Sequence, residues 1–272
     1  MSCIRRFGFF SEAGLMVSAA RKHVKIVGAL IMREIITKYG REGIGFLWVI
    51  GEPLMFCFGV LIMWSLIKPA YEHGVRIAPF VMTGYMCLLM LRHIISYNIG
   101  AVPSNIGLLY HRKISIIHIY MSRNILELAG STGAFIVVYI ILYSMGFVDL
   151  PHNVLILYSG WMLLFWLSSG IGIVFSALAL MYDVMERVVS LLQYVLVPMT
   201  GTFFMISWLP PAAQEAVLWI PIPHTVEMVR AGVFGEFVAT HYDPLYPLIW
   251  GTALNLLGLL LLRHAQRNLE IE

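Results

Sequence analysis

Six stretches of this chain are each long and apolar enough to cross a lipid bilayer, and that settles the class of fold before any motif is read. A helix needs about 20 apolar residues to span a hydrocarbon layer roughly 30 Å thick. Residues 46–67, 77–99, 125–148, 154–181, 188–209 and 245–262 qualify, the fourth with length to spare for tilt. Runs such as Trp161-Met162-Leu163-Leu164-Phe165-Trp166-Leu167 are unbroken rather than alternating, which predicts helices and not barrel strands. Composition agrees: 60% of the 272 residues are hydrophobic, 12% are charged and the mean hydropathy is +0.82. Soluble domains sit near 45–50% apolar and about 25% charged. A soluble enzyme, a disordered scaffold and a nucleic-acid-binding domain are all disfavoured. The first strongly apolar run begins near Phe46 behind a basic stretch, so no cleavable signal is expected.

Lys and Arg fix the expected orientation. Arg5, Arg6, Arg21, Lys22, Lys25, Arg33, Lys38 and Arg41 precede the first span. Arg112, Lys113 and Arg123 are assigned to the second loop, Arg187 to the fourth-to-fifth turn, and Arg263 and Arg267 to the tail. Those fourteen face Lys68, Arg76 and Arg230 on the other side, with Arg92 inside a span. Both termini are therefore expected in the cytoplasm. The net charge of +3 reflects this topology rather than a phosphate-seeking patch.

Three segments are irregular. Over residues 20–38, Val24, Val27, Ile31 and Ile35 share one helical face, and Lys22, Lys25 and Arg33 share the other. That pattern predicts an amphipathic helix in the cytoplasmic interface, with a plain basic anchor as its simpler reading. In the loop over 100–124, Pro103 starts and Ser104 or Asn105 caps a short helix carrying Ile106, Leu108, Leu109 and Tyr110. Its apolar face either docks a partner or packs under the bundle. Between spans five and six, Leu209-Pro210-Pro211 ends one helix, and 217–223 is too short and too interrupted to span. Two short helices dipping in from the outer side fit that region, beside an aqueous path, with His224, Glu227 and Arg230 next to water. The chain is thus read as an all-α membrane protein of one domain. It has an interface segment over 1–45, a six-helix bundle over 46–262 and a cytoplasmic tail over 263–272.

Catalytic chemistry is missing from the sequence. No Lys follows a Gly, so there is no phosphate loop, and no H-E-x-x-H, G-x-S-x-G or paired-Cys motif occurs. Cys3, Cys57 and Cys87 read as free thiols. His93 reads as a helix–helix hydrogen bond rather than a ligand. Arg92, inside a span, is a functional suspect, with snorkelling or a buried ion pair as the structural reading. Glu227 and Arg230, three apart, suit a local pair. Ser168-Ser169-Gly170-Ile171-Gly172 and Ser176 suit close helix packing. Tyr194, Phe203, Phe204 and Trp208 are the aromatic candidates for lining a sugar path.

Arg33-Glu34-Ile35-Ile36-Thr37-Lys38-Tyr39-Gly40, with Ile44-Gly45-Phe46-Leu47-Trp48 and Glu52-Pro53, resembles the opening of ABC-2 type permeases. Gly100-Ala101 through Asn105-Ile106-Gly107-Leu108 is similar to the inner-membrane permease of group 2 (Kps-type) capsular polysaccharide exporters of Gram-negative bacteria. So is Leu218-Trp219 with Pro221, His224, Val226 and Glu227. One departure is His111-Arg112-Lys113-Ile114 where such permeases often carry Arg-Pro-x-Lys-Pro. The resemblance implies a non-enzymatic subunit acting as a homodimer with two ATP-binding-cassette proteins, which hold the ATP and magnesium. This chain then carries no cofactor or metal of its own. A periplasmic co-polymerase, an outer-membrane export protein and a lipid-linked polysaccharide complete the system, at the bacterial inner membrane and with no nucleic acid.

On that resemblance Lys25, Arg33, Glu34 and Lys38 belong to the interface helix. Asn105, Gly107, Leu108, Leu109 and Tyr110 form the coupling helix that seats in the ATPase. Spans one and five line the channel, with Trp48, Glu52, Tyr194, Phe203, Phe204 and Trp208 on the path. Trp219, Pro221, His224, Glu227 and Arg230 form the periplasmic gate. The alternatives are an ABC-2 permease for O-antigen, teichoic acid or drugs, an ion-driven secondary transporter, and a purely structural subunit. Internal repeats and paired intramembrane carboxylates, which an ion-driven carrier would show, are not found.

Overall fold

The computed structural model describes residues 4–39, 44–68, 71–72, 74–109, 114–182, 184–235 and 238–269. These are all-helical apart from one two-residue-per-strand hairpin. In chain order come α1 (Ile4–Tyr39), α2 (Ile44–Ile67), the hairpin β1 (Tyr71–Glu72) and β2 (Val75–Arg76), and α3 (Ile77–Ile99). A 3-10 turn at Pro103–Asn105 leads into α4 (Ile106–Leu109), followed by α5 (Ile116–Ser144), α6 (Val154–Met181) and α7 (Val184–Met199). A second 3-10 turn at Ile206–Trp208 precedes α8 (Pro211–Leu218), α9 (Pro221–Phe234) and α10 (Leu245–Leu269). Among the described residues five segments are long and apolar enough to cross a membrane: Ile50–Ile67, Ile77–Ile99, Ile116–Ser144, Val154–Met181 and Leu245–Gln266.

The last span runs on as helix to Leu269, seven residues into the expected tail, and two other spans depart further from the sequence reading. The third long helix starts at Ile116, nine residues before the expected 125. Ser115 caps it: its hydroxyl accepts from the Ile117 N–H at 3.4 Å, and the His118 Nδ1 accepts from the Ser115 N–H at 3.1 Å. The expected fifth span over 188–209 is not one helix. α7 has 16 residues, about 24 Å at 1.5 Å per residue, and stops at Met199. Pro198 cannot donate to the carbonyl one turn back, and Gly201 then takes φ +73°, which a residue with a side chain rarely adopts.

α6 is the central post, packed on α3, α9 and α10. Its small residues make that possible. A Cβ added at Gly160 would lie 2.9 Å from the Val229 nitrogen, one at Gly170 2.9 Å from Asn255 Nδ2, and one at Gly172 2.5 Å from Asn98 Nδ2. Hydrogen bonds follow the same seams: Asn255 Nδ2 donates to the Trp166 carbonyl at 2.9 Å, and Ser176 Oγ donates to the Asn98 carbonyl at 2.6 Å. In lipid, where apolar surface gains little by leaving its solvent, such close approach and cross-helix bonding hold helices together. The Ser–Gly run of α6 is therefore structural. α2 stands at the edge instead, with Met55, Phe56, Ile62 and Leu66 all more than half exposed on its outer face.

α1 is one helix from Ile4, longer than the expected 20–38. It leans on α5 through the buried Val27 and Leu30, while Lys22 and Lys25 are exposed. Val24, expected on the apolar face, is 71% exposed.

Candidate functional site: two arginine-centred junctions

At one end of the bundle, Arg123 gathers four segments. Its Nε donates to Glu34 Oε1 on α1 at 3.0 Å, its Nη1 to the Tyr97 carbonyl near the end of α3 at 2.7 Å, and its Nη2 to Ser104 Oγ in the turn before α4 at 2.6 Å. Asn105, in the same turn and buried, donates to Glu34 Oε1 at 3.2 Å and to the Ala101 carbonyl at 2.9 Å. Its Oδ1 accepts from Arg33 Nη1 at 2.6 Å. Arg33, Glu34 and Asn105, drawn from two separate motifs, thus form one cluster. Ionic hydrogen bonds of this kind are about twice as strong as neutral ones. Lys25 stands apart on the exposed side of α1, and the Lys38 side chain falls outside the described residues.

Arg123 itself is a correction. The sequence reading puts it in a loop as a topology charge; it lies two turns inside α5, with its side chain 8% exposed. No Gly or Pro occurs between Ile114 and Gly130, and that uninterrupted run is the signal for the earlier helix start. Beyond the cluster, α4 is a single turn. Ile106 is half exposed, while Leu108 and Leu109 are half-buried and Leu109 packs on the cluster around Ala101, Val102 and Tyr120. Gly107 is exposed, and Tyr110 lies outside the described residues.

At the other end, Arg230 on α9 is wholly buried. Its Nη1 donates to the carbonyls of Gly201 at 2.8 Å and Phe204 at 2.7 Å, and its Nη2 to that of Thr202 at 2.8 Å. The guanidinium also lies 4.4 Å from the centroid of the Phe80 ring on α3. Arg230 thereby satisfies the carbonyls left bare where α7 ends, as any buried backbone group requires. Glu227 Oε1 lies 3.6 Å from Arg230 Nη1 and accepts from the Ile206 N–H at 3.4 Å; its Oε2 accepts from the His241 N–H at 3.2 Å. The expected local pair exists, but backbone capping carries more of the contacts.

The expectation of water beside these side chains is not met within the chain: His224, Glu227 and Arg230 are all buried in protein. His224 joins Leu218 to the α10 approach, its Nε2 being 2.9 Å from the Leu218 carbonyl and its Nδ1 accepting from the Asp243 N–H at 3.0 Å. Trp219 is 79% exposed, and Pro221 opens α9 beside it. Gly84 lets the turn sit on α3; a Cβ there would meet the Thr202 carbonyl and lie 2.7 Å from Arg230 Nη2.

The aromatic candidates divide. Phe203 stacks on Trp64 with centroids 5.6 Å apart, and Trp208 packs on Phe80 at 4.9 Å. Phe204 contributes its carbonyl to Arg230. Trp48, 54% exposed, and the half-buried Glu52 sit at the opposite end of α2, about 24 Å and about 18 Å from Trp64 along the helix. Tyr194 is 68% exposed on α7 and lies beneath Arg92. His93 is not alone: its Nδ1 lies 3.8 Å from Glu127 Oε2 on α5. Cys57 and Cys87 are buried free thiols, and no group of three potential metal ligands converges among the described residues.

A family model for ABC-2 type transporters matches residues 26–234, which include both junctions. The chain is 36% identical over 246 residues to the capsule polysaccharide export inner-membrane protein CtrC of Neisseria meningitidis serogroup B, covering 90% of this chain and 93% of that protein. The same identity and coverage hold for the capsule polysaccharide export inner-membrane protein BexB of Haemophilus influenzae. The polysialic acid transport protein KpsM of Escherichia coli is 27% identical over 227 residues, or 82% of this chain and 88% of its own. The chain belongs to the ABC-2 type transporter membrane family.

Proposed function

We propose that this chain is the permease subunit of an ATP-driven exporter that carries lipid-linked capsular polysaccharide across a bacterial inner membrane. The observation that carries the reading is end-to-end similarity to relatives named for capsule export, over 90% of the chain. In this reading two copies form the transport path with two ATP-binding-cassette subunits, which supply all ATP hydrolysis. A periplasmic co-polymerase and an outer-membrane protein complete the route.

Six crossings are proposed, with α7 and the capped turn after it together making the fifth. Moving Arg123 and Arg230 out of the loop tally removes one charge from each side and leaves the cytoplasmic bias intact. Both termini are therefore placed in the cytoplasm, α1 in the cytoplasmic interface, and α8 and α9 as a re-entrant pair from the outer side. The turn and α4 over 103–109, extended through Tyr110, are the coupling element. Motion imposed there reaches α1, α3 and α5 together because Arg123 bonds all of them. Trp64, Phe203 and Trp208 form the aromatic wall of the path near its outer end. Trp219, Pro221, His224, Glu227 and Arg230 belong to the element that closes it.

Deleting the gene in a capsulated host and assaying surface and intracellular polymer tests this. Polymer made but retained inside, with surface capsule restored by the intact chain, is the expected result. Normal surface capsule in the deletion strain sinks the proposal.

A further inference from the structure

A groove of about 380 Å³ runs between α3 and α7, and its wall is unusually polar for this molecule. Arg92, Ser96, Glu186, Ser190, Gln193 and Tyr194 line it. Ser190 and Glu186 lie toward the start of α7, beside Gly100 at the end of α3. Arg92 lies about 12 Å further in, eight residues back along α3. Its guanidinium rests 5.5 Å from the centroid of the Tyr194 ring. Among the described residues no carboxylate or carbonyl takes any of its five N–H donors.

This sets Arg92 apart from Arg123, whose three nitrogens all donate to protein acceptors, and from Arg230, whose two Nη groups do. Next to it, Gln193 and Ser96 hold each other: Gln193 Nε2 donates to Ser96 Oγ at 3.0 Å, and Ser96 Oγ donates to Gln193 Oε1 at 3.2 Å. Gln193 is 7% exposed, so its amide is fixed by burial as well as by that bond. An ionisable group at membrane depth is costly unless it serves a ligand or a partner. An arginine fork supported on an aromatic ring, with a fixed amide beside it, suits a planar or tetrahedral oxyanion.

The geometry points to an anion-binding site in this groove, built on Arg92 with Gln193 and Ser96, that receives an anionic group of the transported molecule on its way in from the α3–α7 mouth. This deepens the proposed function, resting on its orientation and its polysaccharide substrate. The shared ligand chemistry is a carboxylate or phosphate oxyanion, from an acidic sugar or from the lipid carrier's head group. Glu186, exposed at the mouth, faces an incoming anion with like charge and so opposes entry.

The test uses the full chain in phosphatidylcholine nanodiscs, with three soluble probes: fluorescent oligosialic acid for the carboxylate, lysophosphatidylglycerol for the phosphate, and a neutral malto-oligosaccharide. Selective binding of either acidic probe is expected, and which one binds assigns the source. Arg92→Gln should weaken that binding by about tenfold or more, the effect of losing one charge-assisted contact. Arg92→Lys, which keeps the charge without the fork, should lose less. Glu186→Gln should tighten binding by about two- to fivefold, as removal of a partly screened repulsion predicts.

A fold defect cannot produce loss and gain at the two positions together. Equal binding of all three probes, or acidic binding unchanged by Arg92→Gln, overturns the site. The exporter reading fails separately: it falls if the wild-type chain does not restore surface polymer to a deletion strain. If wild type restores it, export by Arg92→Gln equal to wild type overturns the site alone.

Discussion

Arg123 and Arg230 are both arginines inside helices, and each ties three or four segments together, yet they do so on different terms. Arg230 is wholly enclosed and bonds backbone carbonyls of a single turn, with Glu227 as a neighbour that has backbone partners of its own. Arg123 sits at a boundary that is 8% exposed on its own side and 13% on Glu34, and it bonds side chains and one carbonyl from separate elements. A carbonyl cluster has no way to leave its arginine short of unfolding the turn. A carboxylate on a separate helix can part from its partner and take up water. One junction is built as a fixed anchor; the other has the chemistry of a joint.

The largest effect that could break this contrast is at the anchor. Arg230→Ala leaves the carbonyls of Gly201, Thr202 and Phe204 without their donor and Glu227 without its counter-charge, and should destabilise the purified chain by about 3–5 kcal/mol in a detergent melt. Exchanging the two charges, with Arg at 227 and Glu at 230, should fail to rescue it, because a carboxylate cannot donate to carbonyls. Full rescue would reduce the junction to a simple ion pair and erase the difference from Arg123.

At the joint, Arg123→Ala should cost about 2–3 kcal/mol, since Glu34 and Asn105 keep each other and the site is not fully enclosed. Export should fall further than stability does, because α1 and the 103–105 turn then move independently of α5. Equal fractional losses in surface polymer and melting stability would make the joint a second anchor. A milder probe is Glu34→Gln, whose amide oxygen still accepts from Arg123 and Asn105. It should cost about 1 kcal/mol and weaken with added salt less than the wild-type pair does. The smallest effect is expected at Arg76 and Asp149, an exposed pair at 3.5 Å. Arg76→Ala should leave the melting temperature unchanged, which calibrates the two junctions against a surface ion pair.

How much of this was legible in the sequence depended on whether the signal was periodic or depended on a partner. Apolar length gave α2, α3 and α6 to within two residues, and the start of α10 but not its end at Leu269, because a span is defined by its own composition. The start of α5 was missed since Arg123 looks like a loop charge until Glu34, 89 residues away, is seen to neutralise it. The end of α7 was missed for the complementary reason: Phe203, Phe204 and Met205 continue an apolar run, and only a buried arginine on α9 makes it favourable for the backbone to turn there. Among the site residues, Arg33, Glu34 and Asn105 were each picked out, and Glu227 with Arg230 as a pair. What sequence spacing could not show is that the first three meet, or that Arg230 caps a turn, since both facts live in contacts between distant segments.

The early stop of α7 also has a consequence for how the protein is made. A membrane chain is delivered to the bilayer in sequence order, and each segment must be tolerable there before its later neighbours exist. The carbonyls at 201, 202 and 204 find their donors only when Arg230 arrives, 26 to 29 residues further on. Until then the stretch after α7 offers bare acceptors that lipid cannot satisfy. Maturation of that half of the protein is therefore delayed until α9 has been synthesised, and nascent chains ending before it should be short-lived, as substrates for membrane proteolysis.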